Sequence, residues 1–111
     1  MTKRDYLGSF ELMVMLAILR VGENAYGVPI AREIEDTNSR EVALGSVYMT
    51  LERLEAKGFV SSAFGEPTAE RGGRAKRYFR VTTNGLKHVR ETQRGLTRLW
   101  RDIPPLKGEI V

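Results

Sequence analysis

The chain has 111 residues, of which 41% are apolar and 29% are charged, a balance typical of one compact globular domain. Eighteen Lys and Arg residues oppose fourteen Asp and Glu residues, and the formal net charge of +4 favours anionic partners such as nucleic acid. The chain has no cysteine and one histidine, His88, and no paired carboxylates or nucleophile–base set stands out. We therefore expect neither enzymatic activity, nor a metal site, nor a cofactor.

The longest apolar run, residues 12–19, is far shorter than the roughly 20 residues of a membrane-spanning helix. It also lacks the small-residue cleavage site of a signal peptide. We expect a cytoplasmic protein without a membrane partner.

Two helices are predicted in the first third of the chain. The first begins after Ser9, a good N-cap, and ends near residue 21, before Gly22. Because residues 12–19 are apolar on every side, we favour a helix that contacts both the core and a partner chain over one covered only by its own chain. The second helix covers residues 28–36, and its buried face consists of Ile30, Ala31 and Ile34.

The third predicted helix, residues 46–57, has two distinct sides. A buried stripe with spacings of four and three consists of Val47, Leu51 and Leu54. The opposite side carries Ser46, Met49, Arg53 and Ala56. Its edges are formed by Tyr48 and Thr50.

Two strands follow, residues 59–64 and 76–81, and the polar connection between them is too long for a tight turn. In the second strand Tyr78 and Arg80 should share one side, with Phe79 and Val81 on the other. Residues 71–80 contain no acid and carry a charge of +5 from Arg71, Arg74, Lys76, Arg77 and Arg80. Such a loop is typical of phosphate binding, although a bare basic loop can also be merely solvated.

The last predicted helix begins at Thr82 or Thr83 and ends near residue 102, because Pro104 and Pro105 prevent its continuation. Its seam has spacings of 3, 4, 3, 4 and 3 and consists of Leu86, Val89, Gln93, Leu96, Trp100 and Ile103. So small a domain has little core left to cover this seam, and a second chain is its expected partner. The alternative is packing onto the first helix of the same chain.

The order helix, helix, helix, strand, basic loop, strand, helix is that of a winged helix-turn-helix domain, a mainly α fold with a small β-hairpin. We predict a winged DNA-binding domain over residues 1–81 and a C-terminal dimerisation helix over residues 82–103 in the same compact unit. A loose tail is predicted over residues 104–111. In such domains the third helix enters the major groove of double-stranded DNA, and the hairpin loop lies along the neighbouring backbone.

Residues 44–60, LGSVYMTLERLEAKGFV, resemble the recognition-helix signature of PadR-type transcriptional regulators. Residues 26–27 are similar to the start of the family's second helix. Residues 71–79 resemble its wing, and residues 81–85 resemble the start of its last helix. Ser46 and Met49 stand where threonine and proline are usual, so the base contact at residue 49 should differ. The resemblance covers residues 7–100 and is to the short members with a single C-terminal helix.

Two groups of residues are the candidate DNA contacts. The groove-facing group on the third helix consists of Ser46, Tyr48, Met49, Thr50 and Arg53. The wing group consists of Arg71, Arg74, Lys76 and Arg77. Arg71 and Arg74 are expected at phosphates or in the minor groove, whereas Lys76 and Arg77, nearer the strand, are expected to be ordered against the backbone. Arg53 could instead pair with a neighbouring glutamate, and Tyr48 could instead anchor the helix at the edge of the core.

The resemblance implies dimerisation through the last helix and the first, so Leu12 and Met15 join the six seam residues in the predicted dimer interface. Some PadR-like proteins bind flat hydrophobic effectors between aromatic side chains at that interface, and Leu96 with Trp100 could form such a slot. The alternative is that Trp100 belongs to the core.

These features predict a sequence-specific regulator of transcription that binds a pseudo-palindromic operator as a homodimer. A small dimer without an activation domain can block a promoter sterically, so we expect a repressor that a small hydrophobic effector could release. The alternative is a winged-helix protein-interaction module that binds no DNA. RNA binding rests only on one Arg-Gly-Gly-Arg segment.

Overall fold

The computed structural model describes residues 7–66 and 75–107. This part contains the helices α1 (Ser9–Val21), α2 (Gly27–Asn38), α3 (Leu44–Ala56), α4 (Thr83–Trp100) and α5 (Pro104–Lys107) and the strands β1 (Val60–Phe64) and β2 (Arg77–Val81). One turn of 3₁₀ helix, Gly22–Asn24, connects α1 to α2. The predicted mainly α fold with a small antiparallel hairpin is confirmed.

The core lies where α1 crosses α2, α3 and the hairpin. Both predicted buried stripes are confirmed, because α2 buries Ile30, Ala31 and Ile34 and α3 buries Val47, Leu51 and Leu54. α1 contributes four buried side chains from its middle, Val14, Met15, Ala17 and Ile18. Leu16 and Leu19, on its other side, remain 42% and 45% exposed.

Hydrogen bonds from backbone N–H groups to glutamate side chains lie at the starts of α1 and α3. Gly8, and not the predicted Ser9, is the N-cap of α1, since the Glu11 carboxylate accepts the Gly8 N–H at 3.2 Å. The Glu35 carboxylate accepts the Val42 N–H at 2.9 Å and so fixes the turn between α2 and α3. α3 then starts at Leu44, two residues before its predicted start.

The hairpin pairs Val60 with Val81 at one end and Phe64 with Arg77 at the other. This register places Tyr78 and Arg80 on one side and Phe79 and Val81 on the other, as the alternation predicts. The N–H of Phe79 also donates to the carbonyl of Ala25 at 2.8 Å, which ties β2 to the turn before α2. Residues 67–74 lie outside the described part of the chain.

α4 joins the body through its first turns. The Thr82 hydroxyl accepts the Gly85 N–H at 3.0 Å and donates to the Gly58 carbonyl at 2.7 Å. Gly85 passes so close to the body that a Cβ there would lie 2.9 Å from the Met15 Cε and closer still to the Phe59 carbonyl. Further along, the buried Thr92 hydroxyl accepts the Leu7 N–H at 3.1 Å.

The C-terminal end differs from the prediction in two ways. α4 stops at Trp100 because Arg101 is extended and Asp102 has a left-handed φ of 59°, ahead of the proline pair. Pro104–Lys107, predicted as loose, form the short helix α5, in which Leu106 N–H donates to the Ile103 carbonyl at 3.1 Å. Residues 108–111 of the predicted tail are not described.

Candidate nucleic-acid interface

The exposed face of α3 carries three of its five candidate DNA contacts, Ser46, Met49 and Arg53. Met49 is the most exposed of the large apolar side chains of this helix, at 67%. The placement of Thr50 on this face is wrong, because Thr50 is only 4% exposed. It lies three residues after Val47 and four before Leu54, which puts it on the buried stripe.

Tyr48 lies at the edge of the same face, 41% exposed. Its ring covers the first residue of α2 so closely that a Cβ on Gly27 would lie 2.8 Å from the Tyr48 Cε1 and nearer still to Cζ. A larger residue than glycine would have to displace this ring, so the contact sets how closely α3 approaches the N-terminus of α2. This geometry favours the anchoring role of Tyr48, while a contact from its hydroxyl to phosphate stays a prediction.

An acidic side chain of α1, Glu11, lies beside the exposed face of α3. The Glu11 carboxylate binds the Lys57 ammonium at 3.0 Å, just beyond the end of α3. Burial by itself raises the pKa of Glu11, but hydrogen bonds from Lys57 and the Gly8 N–H, with the charges of Lys57 and Arg53, bring that pKa below its ordinary value. No local pattern indicates this pair, since its members are 46 residues apart.

Arg53 itself makes no hydrogen bond or ion pair with any residue in the described ranges 7–66 and 75–107. The alternative of a pair with a neighbouring glutamate is therefore not realised within those ranges. An exposed guanidinium on this face can fork onto a guanine edge or a phosphate.

The wing is the hairpin loop between β1 and β2. Side chains at its base contact Tyr26, in the turn before α2. The Lys76 ammonium lies 4.4 Å from the centre of the Tyr26 ring and 3.4 Å from its hydroxyl. The Tyr78 ring meets the same Tyr26 edge-on, with 5.7 Å between centroids. Lys76 is thus held in place while remaining half-buried. Arg71 and Arg74 fall outside the described residues.

Arg77, a predicted DNA contact of the wing, is bound within the chain. Its guanidinium pairs with the Glu55 carboxylate of α3 and donates to the Ser62 hydroxyl at 3.0 Å. The Ser62 hydroxyl in turn donates to Glu55 at 2.7 Å. Arg77 is therefore engaged in a contact between the wing and α3, which it reaches past Ser62 of β1, the strand that packs on α3.

The predicted dimer residues divide into an exposed set and a buried one. Leu96 and Trp100 are 43% and 63% exposed, and Leu99, which the seam pattern missed, is 75% exposed. Met15 is completely buried beneath α4, so its predicted place at a dimer interface is corrected to the core of its own chain. The other predicted interface residues lie between these extremes or are exposed. Gln93 is exposed, and the half-buried ones are Leu12, Leu86, Val89 and Ile103.

A groove of about 540 Å³ runs between α1 and α4. Its lining is mainly apolar and includes Leu12, Leu16, Val89, Leu96 and Trp100. Both residues of the predicted effector slot therefore line one groove. No helix of the described ranges is long and apolar enough to cross a membrane.

The family model of PadR-like transcriptional regulators matches residues 15–91, and the chain belongs to this family. Its members are DNA-binding transcriptional regulators and not enzymes, as the sequence predicts. No curated protein matches the chain significantly.

Solved structures agree with the fold. A transcriptional regulator from Clostridium thermocellum is 20% identical with a TM-score of 0.70, over 87% of this chain and 91% of that one. A PadR-like regulator from Bacillus cereus is 18% identical with a TM-score of 0.69, over 87% and 89%. A PadR-family regulator from Clostridium difficile R20291 is 22% identical with a TM-score of 0.64, over 92% and 98%. At these identities the likeness shows the winged-helix fold.

Proposed function

We propose that the chain is a homodimeric transcriptional repressor that reads a pseudo-palindromic operator in double-stranded DNA. It would work in the cytoplasm, where it meets DNA, and block a promoter by occupying it. The observation that carries this proposal is the exposed face of α3, where Ser46, Met49 and Arg53 stand free beside a wing joined to the same helix. On one side of a helix, Ser46 can hydrogen-bond, Met49 can contact a thymine methyl group, and the Arg53 guanidinium can bind a guanine edge through two hydrogen bonds.

The wing supports the proposal through its charge and its attachment. Residues 71–80 carry five cations and no acid, and Lys76 is held at the base of the loop by Tyr26. Phosphate contacts from such a loop would fix the register of α3 on the duplex without reading sequence. We assign the wing phosphate contacts to Arg71, Arg74 and Lys76, and Arg77 to the support of the wing.

Dimerisation would use the uncovered side of α1 and α4. Leu16, Leu96 and Trp100 are exposed and line one groove between these two helices. Exposed apolar area of this kind marks an interaction site in a small domain. A two-fold axis through α4, the helix that follows the winged part, would place two recognition helices roughly 34 Å apart, one turn of DNA.

A small planar hydrophobic effector is a second proposal for the groove between α1 and α4. Trp100 lines that groove and is the one tryptophan of the chain, so its fluorescence reports directly on occupancy. Quenching by planar ligands would support an effector that alters the dimer. An unchanged spectrum across a diverse panel would count against it.

The proposed function is tested by binding to DNA from upstream of the protein's own gene, at two salt concentrations and with an excess of unrelated duplex. We expect binding that survives the competitor and weakens steeply with salt. Arg53→Gln should lower the affinity for the preferred DNA at least fivefold, about 1 kcal/mol, because it removes a base or phosphate contact.

Arg20→Gln is the matched control, since it also removes one exposed cation but from a surface ion pair with Glu33 away from α3. It should leave the affinity for DNA unchanged. Absence of any DNA binding at low salt would instead favour the protein-interaction module.

A further inference from the structure

The positive charge of the chain is concentrated in two places. Residues 71–80 carry +5, and α4 carries four cations against one acid, Glu91. The remainder of the chain has thirteen acids against nine cations, so it is net negative. The role proposed above for the wing leaves the charge of α4 without an explanation.

The cations of α4 form one continuous row, which we name the basic stripe: Lys87, Arg90, Arg94 and Arg98. With 3.6 residues per turn and 1.5 Å per residue, the stripe occupies about 80° of the helix surface and is about 17 Å long. All four side chains are exposed. The side of α4 that packs on the body is a different one and carries Gly85, Thr92 and Gly95.

No member of the stripe is paired with a carboxylate of the described residues. Its four cations make no hydrogen bond or ion pair with other residues of the described part, whereas Arg20, Lys57 and Arg77 are all paired with carboxylates. Half-buried Glu91 borders the stripe and lowers its net charge without forming an ion pair with a described residue.

The spacing of the stripe also lowers the stability of α4. Arg90 and Arg94, and Arg94 and Arg98, are like charges four residues apart, an arrangement that destabilises a helix. A helix face that only had to be soluble would mix both signs. Binding of a linear polyanion would remove this repulsion.

We propose that the basic stripe binds the phosphate backbone of duplex DNA without sequence preference, at a surface separate from α3 and the wing. A 17 Å length of duplex carries about ten phosphates, about five on each strand, so an extended row of cations can meet several phosphates along one strand. Guanidinium groups, three of the four members, bind phosphate oxygens through two parallel hydrogen bonds. This surface goes beyond the proposed function, because it requires no operator.

Other anionic partners fit the stripe less well. A protein partner would need aromatic or apolar anchors within the contact, and no apolar residue falls between the members of the stripe. A lipid surface would need apolar side chains on the same face, whereas those of α4 lie on the seam side. Contact with non-operator DNA would raise the local concentration of the regulator and let it move along the duplex.

The test compares wild type with the triple variant Arg90→Gln/Arg94→Gln/Arg98→Gln on a random-sequence duplex, by fluorescence anisotropy over a range of salt. We expect the triple variant to lose at least about tenfold in affinity at low salt, with the slope of log K against log salt falling by about two to three. Arg90→Lys/Arg94→Lys/Arg98→Lys keeps the charges and should stay within about threefold of wild type.

Thermal melting of all three proteins checks the fold, and the glutamine triple should melt no lower than wild type because like-charge repulsion is removed. If it melts lower, the single variant Arg94→Gln replaces it, with an expected slope change of about one. An unchanged slope in a folded glutamine variant would overturn the proposal. So would loss of binding to anionic phosphatidylglycerol vesicles while binding to the random duplex persists. Neither result bears on the preference of wild type for operator DNA, which is measured separately.

Discussion

The guanidinium of Arg77 on β2 is paired with the carboxylate of Glu55 in the last turn of α3, and the Ser62 hydroxyl hydrogen-bonds to both groups. This contact joins the wing to α3, the two elements that the proposed function places on the same duplex. A wing fixed in this way needs less ordering when DNA binds.

Replacement of Arg77 should therefore weaken operator binding without altering its dependence on salt. We expect Arg77→Gln to lower the affinity by roughly two- to fivefold, about 0.5–1 kcal/mol, since both side chains of the pair are one-third exposed. A direct phosphate contact would instead reduce the salt slope by about one. Arg80→Gln, on the opposite side of the same strand, is the control for loss of one charge.

A charge swap separates positioning from a general loss of stability. Glu55→Arg/Arg77→Glu keeps the pair in reversed order and should bind DNA more tightly than either single reversal. If the charge-swapped variant loses as much binding free energy as the two single reversals added together, Arg77 does not act through Glu55.

The contact between Tyr48 and Gly27 predicts an effect on stability. Gly27→Ala should lower the free energy of unfolding by about 1–3 kcal/mol, because the new methyl group overlaps the tyrosine ring. Gly45→Ala, also in a first helical turn but with open space around its Cα, should be neutral or stabilising. Chemical denaturation measures both.

In the double variant Tyr48→Ala/Gly27→Ala, loss of the tyrosine ring leaves room for the methyl group. It should lose less stability than the sum of the two single substitutions. Additive losses would show that the ring and the glycine do not constrain each other.

The lowered pKa of Glu11 gives a dependence of stability on pH. A carboxyl whose pKa is lower in the folded state than in the unfolded state contributes stability above its ordinary value, 4.5, and loses it as the pH falls through the folded pKa. The melting temperature of wild type should exceed that of Glu11→Gln at pH 7, and the difference should shrink below pH 4.5. Glu23→Gln, at an exposed site, should show no such change. A difference between wild type and Glu11→Gln that is constant from pH 7 to pH 3 would be evidence against the Glu11–Lys57 pair.

The exposed apolar surface of α1 and α4 predicts a dimer that a charged substitution in this surface would dissociate. Leu96→Glu should convert the protein from dimer to monomer at micromolar concentration, because a carboxylate cannot be buried unpaired in an apolar interface. Phe64→Glu is the control, since Phe64 is 72% exposed on the hairpin, away from both helices. Light scattering gives the molar mass; a monomeric wild type would contradict the proposed interface.

Much of the fold follows from local patterns in the sequence. The stripe Val47, Leu51 and Leu54 identifies the buried side of α3 because helical periodicity is a local property. The alternation of Tyr78 and Phe79 fixes the faces of β2 for the same reason.

The parts that were wrong depend on contacts distant in sequence or on ambiguous residues. Threonine is compatible with either side of a helix, so Thr50 could not be assigned from its type. α1 is apolar all round, and no pattern could reveal that Met15 is covered by Gly85 of α4. The partner of Arg77 lies 22 residues away on another element.

The most direct measurement of the central claim is selection of bound duplexes from a random-sequence DNA pool by the purified protein. We predict enrichment of a pseudo-palindrome whose half-site centres lie about 10 base pairs apart, one turn of the duplex, as two α3 helices of a dimer require. The variant Met49→Ala/Arg53→Gln should fail to enrich the same sequence. A pool that stays random with wild-type protein at low salt would contradict the account.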